Sequence, residues 1–138
     1  MRAFEYAAVT TLMALALSGP SASAEEDIQI AGVTWLAEDI GGAGVVDNVA
    51  STLVIDAAGR ASGSGGCNRF NGMAKIEDAK IAFGPLATSR KMCPPAVMDQ
   101  ERKFLQALER TSSFEIEGTF LRLLGEDGVA LLRLVKSE

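Results

Sequence analysis

"STLVIDAAGRASGSGGCNRFNG", residues 51–72, decides how this chain folds. Its opening residues alternate. Leu53 and Ile55 point one way and Thr52, Val54 and Asp56 the other, the period of a half-buried strand. "DAAGR", residues 56–60, then turns the chain, with Gly59 free to take a positive φ. Residues 60–66 return as a thin strand whose small side chains permit close backbone approach. The remainder, "GSGGCNRFNG", sets a cysteine and two asparagines among glycines. Such a stretch can cradle a phosphate, hold a metal, or turn a backbone where side chains do not fit. It lacks the Gly-Lys-Ser/Thr ending of a phosphate-binding loop, and no helix pattern follows it.

Outward from this stretch, turn signals recur about every ten residues, the spacing of short antiparallel strands. Residues 33–40, "VTWLAEDI", read as a first strand with Trp35 as its core anchor. Residues 41–50, "GGAGVVDNVA", read as a flexible surface loop. Residues 73–77 and 80–83 form a hairpin around Glu77-Asp78-Ala79, and Ile76, Ile81 and Phe83 are expected in the core. Residues 86–92 are a short strand or an extended crossing. Pro94-Pro95 stops it and opens a helix over 96–110, since proline is tolerated at the first helical position. Strands over 113–117, 119–124 and 129–135 close the chain, separated by tight turns at Gly118 and Asp127-Gly128. The expectation is a mainly β (α+β) domain. It has about eight strands in a small curled antiparallel sheet or open β-barrel, with one helix packed on it, because one helix cannot cover a flat sheet of that size.

The two ends bound where the chain works. Arg2, an apolar run over 7–17 and Ala22-Ser23-Ala24 follow the order of an export signal, with cleavage expected after Ala24. The apolar run is too short for a stable bilayer anchor. Leu17-Ser18-Gly19 begins a lipidation box, but Pro20 stands where the cysteine belongs. Residues 1–24 are therefore read as a signal peptide, 25–32 as an N-terminal segment and 33–138 as one domain. A soluble periplasmic or secreted monomer without a membrane anchor is expected. Arg2 and Glu5 cancel, so the processed chain keeps the net charge of −5. That charge disfavours nucleic acid and anionic membrane surfaces as partners. An exported chain with two cysteines, Cys67 and Cys93, reads as one disulfide. The rivals are a metal site and a redox pair. A metal needs about four ligands, and the chain has no histidine; redox pairs use Cys-x-x-Cys spacing. Without histidine there is no Ser-His-Asp or Cys-His arrangement. No cofactor and no metal are expected, and the chain is read as not an enzyme.

One helical residue stands out. With Val97 at 0° and steps of about 100°, Leu108 falls near 20°, Phe104 near 340°, Leu105 near 80°, Met98 near 100° and Glu101 near 40°. Glu101 thus lies inside the apolar stripe, where an unpaired carboxylate costs several kcal/mol. Either it bends out to water, or it accepts hydrogen bonds from the cysteine region, with Asn68 and Thr88 as the nearest partners. The second is the expectation.

"GSGGCNRFNG", "FGPLATSRKMC" and "QERKFLQALE", in this order and spacing, with Trp35-Leu36 before them and "ALLRLVK" after them, resemble the META domain family. The resemblance covers about residues 33–136, and its pattern falls on Gly66, Cys67, Asn68, Gly72, Thr88, Cys93, Glu101 and Leu105. It implies a small antiparallel barrel-like sheet with a helix, and an exported protein linked to heat or antibiotic stress. Many members are lipoproteins, from which this chain departs at Pro20. On this reading the glycines let the strand approach its neighbours and bend, and Cys67 bonds Cys93 just before the helix. Asn68 and Asn71 tolerate left-handed backbone and hydrogen-bond nearby groups. The motif is then a structural clasp; a ligand site built from the loop's exposed amides is the rival. The partner is an unknown protein or a lipid-like ligand. The second is suggested by the likeness of the META fold to lipid-binding pilot proteins and by the cavity of an open barrel. A hydrolase is the remaining alternative.

Overall fold

The computed structural model describes residues 14–16 and 30–137. Nearly all of the expected signal sequence, with its cleavage point after Ala24, lies outside the described residues. Among those described, ten strands and one full helix follow in the order β1 (Thr34–Ile40), β2 (Ala43–Gly44), β3 (Thr52–Ile55), β4 (Arg60–Ser64), β5 (Arg69–Glu77), β6 (Lys80–Phe83), β7 (Ala87–Thr88), α1 (Pro95–Glu109), β8 (Ser113–Glu117), β9 (Phe120–Leu124) and β10 (Ala130–Ser137). All pairings are antiparallel. No helix among the described residues is long and apolar enough to cross a membrane.

The sheet runs β10-β9-β8-β6-β5-β4-β3-β1 and then returns through β1 to β10, so eight strands form a ring. The two-residue strands β2 and β7 hang on β1 and β5. The expected opening is confined to one place. β6 and β8 pair only at Lys80 and Ser113, whereas β1 and β10 pair from Thr34–Ser137 to Ile40–Leu132. Register shifts between Ala37 and Asp39 in β1 and between Ala130 and Leu132 in β10 mark bulges. Bulges add local twist and bend a strand, which helps this end of the sheet curl until its edges meet.

Alternation places the core as the sequence predicts in β3, where Leu53 and Ile55 are fully buried. Trp35 is buried and its Nε1–H donates to the Ile30 carbonyl at 3.0 Å. Ile81 and Phe83 are buried, but Ile76 only half enters the core. Asp78, with φ 53°, makes the two-residue β5–β6 turn. β5 begins at Arg69, not near 73, because Arg69–Met73 already pair with β4 on one side and Phe70 and Asn71 with β7 on the other.

α1 starts at Pro95, with the Val97 and Met98 amides bonded to the Pro94 carbonyl. It crosses the end of the ring where β1 finishes, β3 starts and β4 turns into β5. Phe104 and Leu108 are fully buried, each stabilising the fold by roughly 1.5–3 kcal/mol. The rings of Phe104 and Phe70 meet edge to face at 5.9 Å. The buried face consists of Gln100, Glu101, Phe104, Ala107 and Leu108. It is rotated from the expected stripe: Met98 and Leu105 are only half-buried, and Gln100 and Ala107 take their place. The cause is the 41–50 stretch, which is not a free loop. Its Val45 packs on the core, and it lies against the Gln100 side of the helix.

Candidate functional site

The sequence motif closes into a clasp between the β4–β5 turn, the segment before α1, and α1 itself. Cys67 and Cys93 are disulfide-bonded, with Cα atoms 6.1 Å apart. Beside the bond, the Glu101 carboxylate is 5% exposed. Its Oε1 accepts the backbone N–H of Cys67 at 3.1 Å and of Asn68 at 2.5 Å, and its Oε2 accepts the Asn68 Nδ2–H at 2.8 Å. The burial cost of the charge is offset by three donors aimed at one carboxylate, the arrangement that makes buried charge tolerable.

Asn68, 3% exposed, uses its amide completely. Nδ2 also donates to the Lys91 carbonyl at 3.2 Å, and Oδ1 accepts the Lys91 N–H at 2.6 Å and the Ser89 hydroxyl at 3.0 Å. An amide has two donors and two acceptor sites, and here every one is taken. No buried side-chain nitrogen or oxygen among the described residues lacks a partner. The network therefore fixes the turn, the 89–93 segment and the helix to one another, and it leaves neither Glu101 nor Asn68 a free atom for a ligand.

Two glycines make the geometry possible. A Cβ at Gly65 would lie 2.5 Å from the Glu101 Cγ, so only glycine lets the carboxylate reach the turn. Gly66 has φ 136°, a conformation side chains disfavour. Gly72 stands apart from the clasp; a Cβ there would lie 2.8 Å from the Pro85 carbonyl, where the chain crosses β5.

The structure corrects two expectations. Thr88 does not touch Glu101: it is exposed in β7, opposite Phe70, and its neighbour Ser89 joins the network instead. Ser89 follows β7 directly, and its hydroxyl donates to Asn68 Oδ1 and accepts the Arg69 N–H. Asn68 and Asn71 do not take left-handed backbone; outside glycine, that conformation occurs at Asn48 and Asp78 among the described residues. Asn68 serves through its side chain and Asn71 points outward from β5. Leu105, expected in the apolar stripe, packs at the margin of the core.

Gln100 is the residue that sequence reasoning missed. Its Oε1 accepts the Val46 N–H at 2.7 Å, and its Nε2 donates to the Val49 carbonyl at 3.2 Å and to Ser51 Oγ at 3.0 Å. The helical projection held the signal, since Gln100 falls about 40° from Phe104. Among the described residues no group of acidic or cysteine side chains is placed to hold a metal. On the outer side of α1, Asp99 receives hydrogen bonds from Lys103 and Arg102, which hold its carboxyl below the ordinary range.

A META domain family model matches residues 27–138. Solved structures share the fold. A protein from Burkholderia xenovorans, solved by NMR, is 22% identical with a TM-score of 0.64, over 91% of this chain and 95% of its own. A second NMR structure is 22% identical with a TM-score of 0.63, over 78% and 92%. A crystal structure of a DUF4847 family protein from Bacteroides vulgatus is 14% identical with a TM-score of 0.61, over 82% and 99%. At these identities the likeness is one of fold. No curated protein matches the chain.

Proposed function

Since the chain belongs to the META domain family, we propose that it is an exported, non-enzymatic domain that supports tolerance of heat or antibiotic stress by holding a protein partner on its outer surface. The observation that carries this reading is the filled interior. Trp35, Phe70, Phe104, Leu121, Leu132 and Leu134 occupy the inside of the ring, each 2% exposed or less. A lipid carrier keeps its inside free for the ligand, whereas a filled ring must bind from outside. Apolar side chains are available there: Met92 is 88% exposed and Val129 59%. The bonded cysteines support export, because disulfides persist in oxidising compartments.

Native mass spectrometry of the protein purified from its own envelope tests the reading. The expected species begins at Glu25, carries the disulfide and holds no lipid, before and after incubation with phosphatidylglycerol vesicles. A stoichiometric lipid adduct overturns surface binding, and a chain that begins at Met1 overturns export. Photocrosslinking in the cell from position 92 is expected to give one reproducible protein adduct.

A further inference from the structure

The outer face of β3, β4 and β5 carries a groove of about 410 Å³. Cross-strand register builds it, setting Ser62 opposite Asn71 and Ser64 opposite Arg69. Directly opposed residues share a face of the sheet, so these four side chains converge outside the ring, with Thr52 beside them on β3.

The lining is rich in donors. Thr52 Oγ1 accepts the Ser64 N–H at 3.1 Å, and Ser64 Oγ accepts the Gly66 N–H at 3.2 Å. Each hydroxyl oxygen is engaged as an acceptor, which leaves its O–H to give. The side chains of Ser62, Arg69 and Asn71 make no hydrogen bond or ion pair with the described residues. Five other cations, Lys75, Arg102, Lys103, Arg122 and Arg133, have carboxylate partners, while six further described cations, like Arg69, have none among the described residues. None of the residues described as lining the groove is acidic, in a chain with 18 acidic and 13 basic residues. Here a guanidinium, an amide and three hydroxyls surround a depression with no negative charge.

We propose that this groove binds a hexose-sized ligand bearing one anionic group. Arg69 takes the anion through its paired N–H donors, and Ser62, Ser64 and Asn71 take ring hydroxyls, for which groups that both donate and accept are suited. The volume falls in the range of small-molecule sites, while the polar lining is wrong for an acyl chain. A carboxylate and a phosphate share this chemistry. Met92 is not among the residues that line the groove, and the probes used below test the groove without reference to a protein partner.

Amide chemical-shift titration of the processed, disulfide-bonded protein at low salt tests it, with D-glucuronate, glucose 6-phosphate and glucose as probes. At least one of the two anions is expected to shift the amides of residues 62–64 and 69–71 saturably, with a Kd of about millimolar. If only one does, it names the anionic group. Glucose shifts them far less. Arg69→Gln weakens binding by about tenfold or more through loss of a charge-assisted bond. Asn71→Asp, which places a carboxylate in the groove, abolishes it. Lys80→Gln, on another strand, leaves it unchanged. Both groove variants alter exposed side chains and are expected to melt as wild type does, which separates lost binding from lost folding. No saturable shift with either anion overturns the proposal, as does equal binding of glucose or undiminished binding by Arg69→Gln.

Discussion

Two regions lean on neighbouring residues of α1, and they are held by different chemistry. The clasp takes Glu101, a buried carboxylate that meets only donors, and adds a disulfide. The 45–51 stretch takes Gln100, a neutral amide that meets one backbone N–H, one carbonyl and one hydroxyl. A turn that aims its N–H groups inward calls for an anion, and a loop that offers both kinds of group calls for an amide. The difference also predicts where the fold is stiff. The clasp combines covalent and charged ties, whereas the 45–51 stretch is held by neutral hydrogen bonds and by the packing of Val45 on the core.

The strongest way to break this contrast is to cut the disulfide. It closes a sequence separation of 26 residues, for which the chain-entropy model gives about 3.5 kcal/mol. Reduction, or Cys67→Ala with Cys93→Ala, is expected to lower Tm by about 10–15 °C in a domain of this size. A reduced protein that melts as the oxidised one does would put the clasp's rigidity in the polar network alone.

Removing the carboxylate comes next. Glu101→Ala leaves two backbone amides and the Asn68 side chain without their acceptor, and about 3 kcal/mol is expected to be lost. Glu101→Gln keeps the shape but turns either an oxygen or an N–H₂ toward those donors, so it is expected to lie between alanine and wild type in urea unfolding. A Glu101→Ala variant as stable as wild type would mean that the turn finds other acceptors.

Gln100→Ala sharpens the other half of the comparison. The expected loss is about 1–2 kcal/mol, typical of neutral hydrogen bonds. Amide hydrogen exchange is expected to speed up at Val46 and its neighbours while the Cys67 and Asn68 amides stay protected. Equal loosening of both regions would show that the two ties act as one unit.

The smallest effect belongs to Asp99, the exposed carboxylate of the same helix. Lys103 and Arg102 hold its pKa below the ordinary 3.8. A carboxyl depressed in the folded state contributes stability above its unfolded pKa and loses it as pH falls through the lowered folded value. Asp99→Asn should therefore cost a little near about pH 6 and nothing in strong acid, read as a difference in Tm between the two conditions. Its carboxyl, followed by NMR, should titrate higher in Lys103→Ala. Exposure to solvent keeps the effect small, which is the contrast with Glu101 in one helix.

The strands and their turns were written locally. Alternation in β3, glycine at 118 and 128, and Pro94-Pro95 before the helix each act within a few residues, so periodicity and turn chemistry reveal them. Glu101 was legible for the same reason: a carboxylate inside an apolar stripe demands a partner, and Asn68 lay in the one motif rich in backbone donors. Ring closure through β1 and β10 was not legible, because it joins strands nearly a full chain apart and depends on bulges that bend them. Nor was the choice of Ser89 over Thr88, which turns on the register of β7 against β5. The tether of residues 45–51 by Gln100 was decided by which side of the helix that stretch falls on. The donor-lined groove exists only because register brings Ser62 to Asn71 and Ser64 to Arg69. Local conformational preference is carried by each residue's own chemistry, whereas contacts between distant segments depend on how the whole sheet curls.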